Sequence, residues 1–198
     1  MARGQTPSQT IGPYFAYGLT AHQYGYPFSQ IAGGDLVAGR PGVQGERVQI
    51  VGQVLDGAGA PVDDAMIEIW QADASGRYAH AADTRNANAS FKGFGRMGTG
   101  TDPDQRFIFR TIKPGSVDGR QAPHVNLCVF ARGLLTHAYT RLYFSDEGEA
   151  NAADPVLNLI PEARRPTLIA RRQDSEGDPV YRFDIRLQGN DETVFLEI

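Results

Sequence analysis

The segment Tyr181 to Gln188 (YRFDIRLQ) carries the pattern that decides the fold, because apolar and polar side chains alternate along its whole length. Successive side chains of a β-strand point to opposite faces, so the alternation predicts a strand with one face in a core. Gly189-Asn190 is a turn signal, and Thr193 to Leu196 is predicted to return as the last strand of a C-terminal hairpin. The residues predicted to face the core are Tyr181, Phe183, Ile185 and Leu187.

Upstream of this hairpin the chain is divided into short apolar segments by turn residues, and its 23 glycines and 12 prolines favour many short strands over long helices. Only Pro155 to Arg172 has a helical pattern, with Asp154 as a candidate N-cap, and Pro161 and Pro166 would keep that helix short. The further predicted strands are Arg47 to Leu55, Ala65 to Gln71, Phe107 to Thr111, His124 to Ala131 and His137 to Phe144.

These elements predict an all-β fold, a β-sandwich of about eight strands over residues 46–198 with one or two short helices before the C-terminal hairpin. Residues 1–45 have no sustained period and are predicted to form a long N-terminal arm or meander. The arm is rich in aromatic residues, which indicates that it covers something apolar, either its own domain or a partner. Those aromatic residues are Tyr14, Phe15, Tyr17, Tyr24, Tyr26 and Phe28.

Charge and composition exclude several classes of function. The 198 residues carry a formal charge of -4, which gives no electrostatic footprint for nucleic acid or an anionic membrane surface. The lone Cys128 cannot form an internal disulfide, no signal sequence opens the chain, and no apolar run is long enough to span a membrane. A cytoplasmic location is therefore expected. Arginine supplies 17 of the 19 basic residues, which indicates either protein interfaces or codon bias.

Two sequence patterns do not indicate a function. Gly93 to Gly98 matches the dinucleotide pattern G-x-G-x-x-G, but Gly100, Asp102 and Pro103 follow it where a helix would have to begin, so a plain loop is predicted there. There is no Ser nucleophile elbow, and the four histidines are scattered along the chain, so a Ser-His-Asp hydrolase has no local support.

The pair His124 and Asn126 is more informative when taken with Tyr78 and His80. Residues two apart on a strand project from one face, so His124 and Asn126 are predicted to converge as a His-x-His pair would on a metal. Asn is a poor ligand in such a site, because its neutral amide offers only a weak oxygen. A histidine with a purely structural role at position 124 is the alternative interpretation.

Five further motifs extend this constellation into a family resemblance. The chain resembles the intradiol ring-cleavage dioxygenases over nearly its whole length. The resemblance implies a fold in which two tyrosines and two histidines hold Fe(III), and in which a catechol-type substrate is opened by O2 between its hydroxyl-bearing carbons. The motifs are Trp70 to Asp73 with Gly76 to Tyr78, Phe107 to Gly115, Ala122 to His124, Thr140 to Phe144, and Tyr181 to Ile185.

Carried onto this sequence, the resemblance makes Tyr78 the first tyrosine ligand and His124 the first histidine ligand. Ser116 stands where the second tyrosine is expected after the Lys-Pro-Gly segment, and Asn126 stands where the second histidine is expected. The chain is therefore expected to hold no metal, because one phenolate and one imidazole cannot hold and tune Fe(III).

The family also places an arginine three residues before the first histidine. Here that position is Gln121, with Arg120 one step away. These departures favour a non-catalytic α subunit that completes the substrate pocket of a homologous, Fe(III)-bearing β subunit in a larger heteromer of α–β pairs. No catalytic residue is expected in this chain alone.

The resemblance implies that Gly12, Pro13, Tyr14 and Arg132 reach the partner's pocket and bind a small aromatic acid there. An ordinary turn at Gly12-Pro13 and a solvated strand end at Arg132 are the alternatives for these residues. Two other functions stay open for the whole chain. It could be a self-sufficient dioxygenase with a variant iron site, or a transthyretin-like binding module without a catalytic partner.

Overall fold

A computed structural model describes residues 17–28 and 31–197 of the chain. The described residues form nine strands, a short α-helix and three 3-10 turns, in an order that places all but one of the helical segments between strands six and seven. The strands are β1 Arg47–Leu55, β2 Met66–Gln71, β3 Phe94–Gly98, β4 Arg106–Ile112, β5 His124–Phe130, β6 Ala138–Phe144, β7 Ile169–Gln173, β8 Val180–Arg182 and β9 Ile185–Arg186; helix α1 is Gly148–Ala153, and the 3-10 turns are Ala21–Tyr24, Leu157–Leu159 and Glu162–Leu168.

The strands form one continuous sheet in the order β3-β2-β5-β6-β7-β8-β1-β4, with β9 beside β1. It folds into two layers: β3, β2, β5 and β6 form the first, β8, β1 and β4 form the second, and β7 joins them. Side chains from both layers meet in one buried cluster, including Ile67 and Leu127 from the first layer and Ile50 and Phe109 from the second. The predicted β-sandwich is confirmed.

Strand β5 illustrates how the residue pattern sets the two faces. Val125, Leu127 and Val129 are buried between the layers. The even-numbered residues of the strand, from His124 to Phe130, therefore line the outer face of the first layer. This outer face carries the candidate site.

The segment predicted as a plain loop at Gly93 to Gly98 is instead strand β3, paired with β2. Glycines hid this strand from the propensity argument, and the structure shows why one of them is there. A Cβ on Gly95 would lie 2.8 Å from Leu36 Cδ1 and 3.2 Å from Phe109 Cδ1. Glycine lets Leu36 pack against the strand, which is a known reason for a glycine in a strand interior.

The short helical segments predicted within Pro155 to Arg172 are present as two 3-10 turns and not as an α-helix, and β7 begins within the last turn of the predicted range. Prolines 161 and 166 each lack the N–H that an α-helix needs and prevent a continuous one. Asp154 is the C-cap of α1, yet its carboxylate also accepts hydrogen bonds from the backbone of Val156 and Leu157.

The C-terminal hairpin is also corrected. The predicted inward residues Tyr181, Phe183 and Ile185 are buried, but β8 and β9 both pair in parallel with β1. The segment from Thr193 to Leu196 forms no strand beside them. It ends in a bridge to β6, where Leu196 N donates to Tyr139 O at 2.7 Å. That edge is open because β7 pairs only with the last two residues of β6.

The described part of the N-terminal region lies against the sandwich. The Gln23 amide donates to Gly98 O and accepts from Gly98 N, at 3.1 and 2.7 Å. Leu36 and Val37 are buried in the core between the layers. None of the helices in residues 17–28 and 31–197 has the length and apolar character to cross a membrane.

Candidate functional site

Tyr78 is held at the outer face by a tight turn after β2. Asp73 Oδ1 accepts hydrogen bonds from the backbone of Ser75 and Arg77. Gly76 has φ 73°, and a Cβ on it would lie 1.8 Å from Ser116 O, so only glycine permits this turn to pack on the Ser116 segment. The Tyr78 ring then stacks on Trp70 with centroids 5.7 Å apart.

The structure brings Tyr78, His124 and Asn126 together. Tyr78 Oη lies 3.3 Å from His124 Nε2 and 3.1 Å from Asn126 Nδ2. Ser116 does not join them, because its hydroxyl donates to Gln121 O at 2.7 Å. Arg120 also lies outside the group, since its side chain is exposed and pairs with Asp118.

Arg141 of β6 completes the group. Its Nε donates to Asn126 Oδ1 at 3.0 Å, and its terminal amino group donates to Gln121 Oε1 at 2.9 Å. A cationic side chain therefore lies among the positions that the resemblance assigns to metal ligands. We call Tyr78, Gln121, His124, Asn126 and Arg141 the Tyr78 cluster.

The hydrogen bonds of the Tyr78 cluster run in one direction. His124 Nδ1 lies 2.8 Å from Ala122 O, an acceptor, so Nδ1 carries the proton and Nε2 accepts. Tyr78 Oη therefore donates to His124 Nε2 and accepts from the Asn126 amide, whose oxygen accepts from Arg141. Along this series of hydrogen bonds, from Arg141 to His124, every polar side chain has a hydrogen-bond partner when Tyr78 is a neutral phenol and His124 is a neutral imidazole.

Electrostatics favour the same neutral forms. Burial, followed by the nearby Arg141 cation, lowers the pKa of His124 to about 4. Burial raises the pKa of Tyr78, and this effect outweighs the opposing influence of the Asn126 hydrogen bond and Arg141. At neutral pH both rings are uncharged.

This arrangement does not fit Fe(III). A ferric site needs anionic donors, whereas here a single phenol is the one possible anionic ligand in the cluster and a guanidinium occupies the neighbourhood. The two missing ligands leave a hydroxyl and an amide that are already engaged with protein groups. Over residues 17–28 and 31–197, no group of three or more His, Cys, Asp or Glu side chains could hold a metal ion.

Asp154 fixes the backbone that leads into this cluster. Its side chain is fully buried and accepts hydrogen bonds from Ala122 N at 2.8 Å and from Tyr143 Oη at 3.1 Å. The same carboxylate binds the backbone of the helical insert, so it ties the insert to the start of β5. Ala122 O in turn orients His124.

Arg132 lies at the other end of β5, two residues beyond the strand. Its side chain is 63% exposed, and its Nε lies 2.9 Å from Asp64 Oδ2. That ion pair involves Nε, and most of the side chain remains exposed. A guanidinium group can match the two oxygens of a carboxylate.

The described part of the N-terminal arm lies beside this end of the strand. Tyr17 packs on Tyr24 with ring centroids 4.6 Å apart. Burial, then the nearby Tyr17, Asp64 and Asp63, raises the pKa of Tyr24. The predicted site residues Gly12, Pro13 and Tyr14 lie outside the described residues.

Sequence reasoning missed three residues that matter here: Arg141, Asp154 as an anchor, and Asp64 as the partner of Arg132. The register that sets Arg141 opposite Asn126 is a pairing of distant segments. Its sequence signals are that Arg141 lies in the Thr140 to Phe144 motif and shares an alternating face with Tyr139 and Tyr143.

Known proteins are similar to this chain over nearly its whole length. A dioxygenase family model matches residues 23–189. The chain is 54% identical, over 98% of both chains, to the protocatechuate 3,4-dioxygenase alpha chain of Burkholderia cepacia. It is 37% identical to the beta chain of the same name from that organism, over 75% of this chain and 67% of that one. The solved dioxygenase domain of a carbohydrate-binding fusion protein from Streptomyces sp. SirexAA-E has a TM-score of 0.61 and 25% identity, covering 96% of this chain and 100% of that chain.

Proposed function

We propose that this chain, which belongs to the intradiol dioxygenase family, is the non-catalytic α subunit of a heteromeric protocatechuate 3,4-dioxygenase. One observation carries the assignment to the α rather than the iron-bearing role. Three of the four expected ligand positions, Tyr78, His124 and Asn126, are occupied by neutral side chains in a series of hydrogen bonds that ends on the Arg141 cation, and the fourth is a serine bonded elsewhere. The similarity to both an alpha and a beta chain supports an assembly of two homologous subunits.

In this assembly the partner chain supplies Fe(III), and protocatechuate is cleaved between its two hydroxyl-bearing carbons. Both atoms of O2 enter the product, 3-carboxy-cis,cis-muconate, so no other oxidant is required. This chain contributes binding and shape to the partner's pocket. The reacting atoms are held by the partner.

Arg132 is the residue of this chain that binds the substrate carboxylate. The Arg132 guanidinium is ion-paired with Asp64 through Nε, and its side chain is 63% exposed. A guanidinium can donate two parallel hydrogen bonds to a carboxylate. Protocatechuate differs from catechol by its carboxylate, so Arg132 determines specificity and leaves the ring chemistry to the partner. The family resemblance assigns Gly12, Pro13 and Tyr14 to the same substrate pocket, and these residues lie outside the described part of the chain.

Three broader assignments accompany this proposal. Residues 1–45 act as the arm and residues 46–198 as the sandwich, although Leu36 and Val37 of the arm are anchored in the core. The complex works in the cytoplasm. Disulfides are rare in that compartment, and the one cysteine of this chain is free. Neither nucleic acid nor a membrane is a partner.

The proposal is tested by co-expressing the full chain with a homologous chain that carries both tyrosines and the His-x-His pair. We expect the two to co-purify, with iron bound to the partner and with O2 uptake on protocatechuate. Iron bound in stoichiometric amount to this chain purified alone, with the colour of a ferric tyrosinate, would establish the self-sufficient enzyme instead. A soluble chain that binds no homologous partner would favour the binding module.

A further inference from the structure

A groove on the surface is lined by β7, β8 and β9 and by the 3-10 turn that precedes β7. It has a volume of 430 Å³, and pockets for small molecules usually measure about 300 to 1,000 Å³. Three arginines line it, one from each strand: Arg171 of β7, Arg182 of β8 and Arg186 of β9. We call it the arginine groove.

The strand register brings two of these arginines side by side. Arg171 pairs directly with Arg182 in the antiparallel ladder of β7 and β8, and paired positions on neighbouring strands are about 5 Å apart. Ala170 and Tyr181, which precede them, are fully buried, so both arginine side chains lie on the outer face. Like charges directly opposite each other in a sheet are destabilising. The fold keeps a repulsive pair here, and a bound anion would relieve it.

The three arginines differ in how their charge is compensated. Arg182 has an ion pair with Asp184 at 2.8 Å. Within the part of the chain that the structure describes, Arg171 and Arg186 have neither an ion pair nor a side-chain hydrogen bond, and both are exposed. The groove therefore holds two positive charges that no neighbouring side chain neutralises.

The acidic side chains of the groove leave it with a net positive charge. Asp184 is used by Arg182, and its Oδ1 also accepts a hydrogen bond from Gln53 N at 3.0 Å. Asp191 lines the groove from the turn after β9, where it is exposed. Its single charge cannot offset both Arg171 and Arg186. Guanidinium groups match the paired oxygens of carboxylates and phosphates.

The backbone beneath the groove is fixed by hydrogen bonds. Arg186 N donates to Thr193 Oγ1 at 2.9 Å, and Thr193 N donates to Arg186 O at 2.9 Å. Thr193 and Phe183 line the groove and are 1% and 2% exposed. A site that is already ordered loses less entropy when its ligand binds.

The surroundings favour a small ligand over a protein segment. Interface centres are rich in exposed aromatic and other large apolar side chains. Among the residues that the structure describes, none of the exposed large apolar side chains lines this groove. Charge without an apolar patch fits a dissolved anion.

We propose that the arginine groove binds a small anion that carries two or three carboxylate or phosphate groups. Arg171 and Arg182 stand on neighbouring strands, and Arg186 lies four residues beyond Arg182, at most about 13 Å along the chain. A single carboxylate pairs with one guanidinium. A molecule with several anionic groups reaches more than one of the three arginines, so affinity rises with the number of those groups.

Isothermal titration calorimetry of the full chain with propane-1,2,3-tricarboxylate tests this, with KCl added to hold the ionic strength constant. We expect one molecule bound per chain, with succinate at least about 10-fold weaker and acetate weaker again, because each removes a charge-assisted contact. Pyrophosphate is titrated in parallel. Tighter binding of pyrophosphate assigns the groove to phosphate groups, and tighter binding of the tricarboxylate assigns it to carboxylates.

Two variants locate the binding. Arg171→Gln and Arg186→Gln are each expected to weaken the tricarboxylate by at least about 10-fold. Arg47→Gln is the matched control, since Arg47 is exposed at the start of β1 and has no side-chain partner among the described residues. Its affinity is expected to equal that of the wild type. Urea denaturation of Arg171→Gln is expected to show no loss of stability, because the substitution removes a like-charge pair, whereas a structural role would lower it.

Chemical modification gives a second measurement that needs no variant. Phenylglyoxal reacts with accessible arginines, and the tricarboxylate is expected to protect Arg171 and Arg186 but not Arg47, as read by peptide mass spectrometry. Equal affinity for acetate and the tricarboxylate, or equal binding by the wild type and both groove variants, would overturn the proposal. Protection of Arg171 by the iron-bearing chain without added anion would assign the groove to a protein contact instead. Binding to this chain alone involves neither iron nor turnover, so each of these failures leaves the proposed function standing.

Discussion

The two ends of strand β5 carry polar side chains on the same face, yet they are held in opposite ways. At the first end, His124 is buried and joined through Tyr78 and Asn126 to Arg141. At the second end, Arg132 is mostly exposed and has one ion pair, with Asp64. At the first end, groups in ligand positions satisfy one another, so their role is structural. At the second end, a guanidinium fork is left available for a ligand.

The difference makes the two ends separable by experiment. Changes at the first end are expected to alter the stability of the folded chain. Changes at the second end are expected to alter the kinetics of the complex and to leave stability almost untouched. A purely kinetic effect of a change at the first end, or a large stability effect of a change at the second end, would contradict this distinction.

The largest effect is expected from Asp154→Ala. The substitution leaves Ala122 N, the Tyr143 hydroxyl and the backbone of the insert without their buried acceptor. Unpaired buried donors cost about 1 to 3 kcal/mol each and do not add fully, so the free energy of unfolding is expected to fall by about 3 to 4 kcal/mol. Urea denaturation measures it, with Asp104→Ala, at an exposed carboxylate, as the control. A loss below about 1 kcal/mol would show that Asp154 does not anchor this end.

The next effect concerns pH. His124 has a folded pKa of about 4 against an ordinary value of 6.5, so only the unfolded chain takes up a proton between these values. This contribution to stability is therefore fully present above pH 6.5, declines as the pH falls, and is lost at about pH 4. Two and a half pH units at about 1.4 kcal/mol each give a decline of about 3 kcal/mol.

Urea denaturation at pH 7, 5.5 and 4.5 tests this, and His124→Gln is expected to reduce the slope in that window. His137→Gln, at an exposed histidine, is the matched control variant. An identical pH profile for all three proteins would show that His124 is not held neutral by burial.

The arrangement of side chains at the first end of β5 could be predicted better than the residues that contact it, because the sequence pattern that determines it lies within one strand. Alternation fixes which residues of β5 share a face, so His124 and Asn126 could be placed together without any tertiary knowledge. The pairing of Asn126 with Arg141 depends on strand register between distant segments. No periodicity within one segment contains that register.

The errors have the same origin. Strand β3 contains three glycines among its residues and its flank, and its need for Gly95 comes from Leu36, which is distant in sequence. The final segment from Thr193 to Leu196 keeps hydrogen bonds between Thr193 and Arg186, but it then pairs with the open edge of β6 through Leu196 instead of extending the hairpin. In each case a tertiary neighbour overrode a correct local signal.

A smaller effect is expected from Arg132→Ala in the complex. A charge-assisted bidentate contact contributes about 1.5 to 3 kcal/mol, so kcat/KM for protocatechuate is expected to fall by roughly 10- to 150-fold, with catechol affected much less. Arg110→Ala is the matched control, with a side chain 61% exposed and a longer ion pair of 3.8 Å. Its kinetics should equal those of the wild type.

The pattern of the kinetic change adds detail. If Arg132 only positions the ring, KM rises and kcat is nearly constant, whereas a matching fall in kcat means that the contact strengthens in the transition state. Equal losses for protocatechuate and catechol would indicate a damaged interface and not a lost carboxylate partner. A change confined to stability would show that the second end is structural like the first.

The smallest effect is expected from restoring the missing ligands. Ser116→Tyr with Asn126→His returns the residue types of a ferric site, but Arg141 would still point its charge at that site and would lose its acceptor on Asn126. Buried cations repel Fe(III), and ligands without their supporting groups bind metal 10- to 100-fold more weakly. We therefore expect no stoichiometric iron in the double variant by elemental analysis and no ferric-tyrosinate absorption band.

Adding Arg141→Gln removes the charge, and any gain of iron should first occur in that triple variant. Stoichiometric iron in the double variant would mean that Arg141 moves away from the site, and that the first end of β5 is held less rigidly than its hydrogen bonds indicate.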